Sequence, residues 1–218
     1  MTGSLTGATP FRLFTLLGMA LLAAAFFSPI WWVSLKAPNY PPDTFPNGVR
    51  IHFHFNGVKN GCELRKSQEV EEEGEALDCV HEMNTINHFI GMHPIAEGAK
   101  YELMAAPYLF ILMGVMLFAF MFYSGPFWWL LALPAILVPP VFIVDYSAWL
   151  WWFGHTLSPM GAFTVKPFMP TVFGQGKVAQ FSTFSYPHYG FGLLLAASAA
   201  LLFAVLLRRK QLRVTKQK

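Results

Sequence analysis

Four long apolar runs alternate with polar stretches along this chain, covering residues 13–33, 105–123, 127–145 and 189–207. A helix needs about 20 apolar residues to cross the hydrocarbon core of a bilayer, so each run is expected to span it. Trp31-Trp32 closes the first run, where paired indoles suit the membrane interface. A cleaved signal peptide is the competing reading of that run. Its single Arg12, its length and the tryptophan pair in place of a small-residue cleavage site favour an uncleaved anchor. Ser124-Gly125-Pro126 marks a tight turn after the second run. Pro134, Pro139 and Pro140 predict a kinked or broken third span, packed where neighbouring helices satisfy the freed carbonyls.

The polar stretches fall at 34–104 and 146–188. In the first, Pro38, Pro41, Pro42 and Pro46 predict an irregular opening. Val49 to Phe55 alternates like a strand and is ended by the turn pair Asn56-Gly57. Lys59 to Cys79, with Glu71-Glu72-Glu73, is expected to be a charged loop, and Ile86 to Glu102 a short helix broken by Gly91 and Pro94. The second stretch, rich in Pro, Gly and Phe, is expected to lie on the membrane surface or against the first outer domain. The predicted fold is therefore all-α membrane: four transmembrane helices, with a small mixed α/β extracytoplasmic domain between helices 1 and 2.

Composition agrees with that class, since only 12% of residues are charged and 55% are hydrophobic, against about 25% charged in a soluble domain. The distribution of charge says more. Arg12 lies in the N-terminal segment 1–12, and Arg208-Arg209-Lys210, Arg213, Lys216 and Lys218 fill the tail 208–218, with no acidic residue at either end. Positively charged flanks stay inside, so both termini are expected to be cytoplasmic and both polar stretches to face outward, in a multi-pass protein of the bacterial inner (plasma) membrane. The basic tail suits anionic lipid headgroups and calls for no nucleic acid.

That topology puts all seven histidines and both cysteines outside. The densest group lies between Cys79 and Pro94. His88 and Met92, four apart, would share one face of a helix, and a bend at Gly91 and Pro94 would bring in His93. His81-x-Met83 and His52-x-His54 would each point two ligands the same way if extended. Imidazole with thioether suits copper in either oxidation state; the bland alternative is a set of wet or packed side chains. Cys62 and Cys79 are expected to form a disulfide in an oxidising compartment, the alternative being copper ligation by Cys79. No CxxC pair or HExxH spacing supports zinc. Asp145, Trp149, His155, Met160 and Met169 gather near the outer end of the third span, where an ionisable group is a functional candidate by default. Tyr186-Pro187-His188-Tyr189 enters the last span, with His188 an anchor or a ligand. Gly174-x-Gly176 is too little for a phosphate loop, and neither a GxSxG nor a CxxCH motif is present.

Asn84-Thr85-Ile86-Asn87-His88-Phe89-Ile90-Gly91-Met92 resembles the "IN-x-LNH-aromatic-IGM" segment of a family of bacterial membrane proteins associated with copper-enzyme maturation, particularly nitrous-oxide reductase accessory functions. Leu35 to Pro41 and Gly174 to Pro187 resemble further stretches of that family. The resemblance implies His88 and Met92 as the matched functional positions. The expected function is a membrane-anchored extracytoplasmic copper-binding accessory protein. It would hold or deliver copper for a membrane or periplasmic redox enzyme, with no catalytic residue of its own. One rival is a non-catalytic structural subunit of a membrane oxidase or monooxygenase complex. Another is a catalytic metal subunit helped by Asp145 and His155.

Overall fold

The first apolar run does two different things. Pro10 opens a helix, and at its other end the Ser28 hydroxyl donates back to the Ala24 carbonyl at 2.7 Å. Pro29 follows, and having no N–H it cannot continue the helical ladder. The indoles beyond it start a strand rather than sit at a helix end. In the computed structural model, which describes residues 10–62, 77–162, 165–178 and 180–216, the elements in order are α1 (Pro10–Phe27), β1 (Trp31–Lys36), β2 (Val49–His54), β3 (Gly57–Asn60), α2 (Cys79–Phe89), α3 (Lys100–Phe120), α4 (Leu133–His155), β4 (Gly174–Val178), β5 (Phe181–Pro187) and α5 (Tyr189–Lys216). Short 3-10 turns precede α3 and α4.

The helices α1, α3, α4 and α5 are each long and apolar enough to cross a membrane, the make-up of a multi-pass membrane protein. Pro134 lies in the first turn of α4, where its missing N–H is no loss. Pro139 and Pro140 lie inside α4, which runs through them as one helix rather than breaking. The last helix continues past residue 207 to Lys216. Arg208 does not stay in water there. It is buried, donates to the Tyr123 carbonyl at 2.5 Å, and lies over the rings of Phe11, Phe120 and Trp128.

The expectation of an all-α membrane protein with a domain confined between the first two spans is overturned. The fold is mixed α/β, with a five-stranded antiparallel sheet in the order β3-β2-β1-β5-β4. Both outer stretches contribute to it. β5, from the second, pairs with all six residues of β1, from Trp31↔Pro187 to Lys36↔Ser182. The physical reason is continuity. α1 leads straight into β1 and β5 leads straight into α5, so the antiparallel helix pair continues as the two inner strands.

Alternation gives the sheet two faces. Trp31, Val33, Leu35, Val49, Ile51 and Phe53 point one way, and α2 packs on that side through Cys79, Met83 and Ile86. Trp32, Arg50, His52, His54, Lys59 and Tyr186 are in register on the other side. The predicted strand and its Asn56-Gly57 turn are present as the β2–β3 hairpin. Most of the acidic loop, with Glu71-Glu72-Glu73, lies outside the described residues.

Candidate functional site

Not all four long helices close on one another. Small residues let α1 and α5 come together: a Cβ on Gly18 would stand 2.7 Å from the Leu201 side chain. α3 and α4 make at most glancing contact. Between them lies a cavity of about 670 Å³ that continues under the apolar sheet face. Its lower part is lined by Met113, Met116, Leu137 and Val138, and its upper part by Val33, Ile51, Met83 and Thr183. Lining residues on α4 run from Pro134 to Phe153, about 28 Å of helical rise. Ligand sites are typically concave and apolar with a few placed polar groups. Here those groups include Glu102 of α3, Asp145 of α4, Asn87 and His54. The two carboxylates are close enough to feel each other's charge.

A buried hydroxyl network fastens α4 to the sheet above this cavity. Trp31 Nε1–H donates to Ser185 Oγ at 2.8 Å, and the Ser185 hydroxyl donates to the Val172 carbonyl at 2.8 Å. Its remaining lone pair faces the Tyr146 hydroxyl at 3.2 Å, so tyrosine is the donor. Every polar atom of this group then has a partner.

The candidate ligands of the 79–94 stretch do not converge. Residues 81–83 are helical, not extended, so His81 is exposed while Met83, about 200° around α2, is buried against the sheet. His88 is exposed, and α2 stops before Met92. The stop is made by Gly91, whose φ of 77° suits glycine. The Met92 and Gly91 amides donate to the Asn87 and His88 carbonyls at 2.8 and 3.1 Å. Met92 therefore turns to the cavity instead of sharing a helical face with His88. His93 pairs with Glu97 at 2.9 Å and stacks on Trp152. His155 stacks on Trp151, and Met160 and Met169 are exposed.

The asparagines of this stretch have structural work. Asn84 Oδ1 accepts from the Ile95 amide at 2.9 Å, and Asn87 Nδ2 donates to the His93 carbonyl at 3.5 Å. The Ser158 amide reaches the Gly91 carbonyl at 2.7 Å. These bonds join α2 to the segment that precedes α3 and to the second outer stretch. Cys62 and Cys79 form the expected disulfide, which ties the end of the β2–β3 hairpin to the first residue of α2 and removes Cys79 as a thiolate ligand.

One imidazole group does assemble, on the polar sheet face. The His52 and His188 rings lie 5.0 Å apart, with His54 within electrostatic reach of both. Burial first, then the charges of His188, Arg50 and His54, lower the pKa of His52 to about 4. Burial likewise lowers His54 and His188. His52-x-His54 is visible as a pair in the sequence, but the third member, 134 positions further on, becomes a neighbour only through the β2-β1-β5 order. Among the described residues, no group of three or more His, Cys, Asp or Glu side chains is already arranged to hold a metal ion.

Fold and cavity together define a class: a multi-pass membrane protein whose helices carry an α/β sheet domain over an apolar cleft. Compared with family models, curated proteins and solved structures, the chain finds no match.

Proposed function

We propose that the protein takes up a single-tailed amphiphile from the bilayer and holds it in the α3–α4 cleft, tail downward and polar end at Glu102 and Asp145. The observation that carries this reading is the continuity of the cavity from between two spans to the underside of the sheet. Its volume is in the range of ordinary ligand sites, about 300–1,000 Å³. An apolar tail there gives up no hydration, and Glu102 is exposed to meet the polar end. The charge bias supports an outward-facing sheet, with both termini cytoplasmic in a bacterial inner membrane.

The test is extraction of the protein, purified in mild detergent, with organic solvent, followed by mass spectrometry. The parent is expected to carry a discrete amphiphile that Val141→Trp lacks, because Val141 lines the cleft and is exposed. Equal recovery from both proteins would sink the reading.

A second reading, the extracytoplasmic copper-binding accessory role, is favoured by one observation. It is the gathering of His52, His54 and His188 at the foot of the polar face. The redox enzyme it would serve belongs to that proposal.

A further inference from the structure

We infer that His52, His54 and His188 form a site for one first-row transition-metal cation of the copper(II) or zinc(II) class, with His52 and His54 as the first ligands and His188 as the group that closes it. This rests on the second reading, and of the three residues His54 also borders the cleft while His52 and His188 do not line it. Histidines two apart on β2 project from one face of the strand. His188 is fixed beside them because its amide donates to the Ile30 carbonyl at 2.9 Å, just below the β1–β5 ladder. Two imidazoles on one tetrahedral ion, with metal–nitrogen bonds of about 2.0–2.1 Å, stand with their ring centres about 5 Å apart. The His52–His188 separation of 5.0 Å matches that spacing. Imidazole nitrogen is a ligand that copper and zinc share.

The order of binding follows from one hydrogen bond. The Tyr189 amide donates to His188 Nδ1 at 2.9 Å, so neutral His188 carries its proton on Nε2. The free lone pair is on Nδ1, so the ring must give up that amide and turn before Nδ1 can coordinate. This agrees with the absence of a preassembled three-residue group among the described residues. His52 and His54, kept neutral by burial, need lose no proton to bind. The charged side chains in the field of the cluster, among the described residues, are Arg50 and Lys59. Arg50 is held over Trp32, 4.3 Å from the ring centre. Both cations oppose an added cation, so affinity should rise with ionic strength as they are screened.

The experiment titrates the full chain in detergent with copper(II) or zinc(II) chloride alone, followed by calorimetry and, for copper, by electron paramagnetic resonance. One ion per chain with nitrogen hyperfine structure is expected. His52→Gln or His54→Gln should remove the binding, and His188→Gln should weaken it without removing it, each with the parent's near-UV circular dichroism. Binding that survives in His52→Gln and His54→Gln but is lost in a His88→Ala, Met92→Ala variant would overturn the inference while keeping the accessory reading. No binding by the parent would overturn both.

Discussion

The α1–α5 seam and the α3–α4 gap are built from equally apolar sequence, yet one is closed and the other open. Along the seam, Gly18, Ala25, Ala197 and Ala204 are buried, and Gly18 meets Leu201 directly. Across the gap, α3 and α4 expose Leu109, Leu112, Leu137 and Val141. In lipid, apolarity does not drive helices together; close packing between small residues does. Hydropathy therefore announces spans but not which spans touch. The gap is then a surface that the bilayer, or a molecule drawn from it, must fill.

The seam should be the more fragile of the two. Gly18→Leu forces a side chain into the Leu201 position, and overpacking of this kind costs about 1–3 kcal/mol. Thermal unfolding in detergent should show the loss, while the amphiphile recovered per folded chain stays at the parent level. A fully tolerated Gly18→Leu would remove the contrast between the two helix pairs.

Ser185 joins the closed half to the open one. Ser185→Ala leaves Trp31 Nε1–H and the Tyr146 hydroxyl facing a methyl group, and unsatisfied buried donors cost about 1–3 kcal/mol. Tryptophan fluorescence should report early loosening at Trp31. Val141→Trp is the counterpart inside the gap. Val141 is exposed, so the larger side chain fills open space instead of overpacking, and stability should move by less than about 1 kcal/mol while ligand recovery falls. A large stability loss there would mean that the gap closes in the membrane.

Much of this could be read before the structure, for reasons that particular residues make plain. The four spans rest on run length, the β2–β3 hairpin on alternation ended by Asn56-Gly57, and the Cys62–Cys79 bond on compartment and count. All are local or compositional signals. β1 was hidden because Trp31-Trp32-Val33 is as apolar as the helix before it, and a short apolar run has no period that separates strand from helix. That hidden strand is why the fold was expected to be all-α. With β1 taken for the end of a span, β5 had no visible partner and His188 no visible neighbour. His88 and Met92 satisfied helical spacing, but Gly91 at φ 77° ends the helix between them. The cleft had no sequence signal, because it depends on two helices failing to meet.

The smallest effect expected lies in the outer half, at Tyr40. Its hydroxyl donates to Glu82 Oε2 at 3.1 Å, tying the proline-rich opening to α2. Burial, then the bond to Glu82 and its charge, raises the tyrosine pKa from 10.0 to about 12. Over that window the folded chain keeps a proton that the unfolded chain has lost. Stability therefore falls as pH rises from 10 to 12, and the contribution is complete below 10. Tyr40 is only partly buried, so solvent screening keeps the effect small. Tyr40→Phe should flatten that part of the stability profile and leave the α1–α5 seam untouched. Equal slopes in parent and variant between pH 10 and 12 would show that the Tyr40–Glu82 bond does not hold the opening segment to α2.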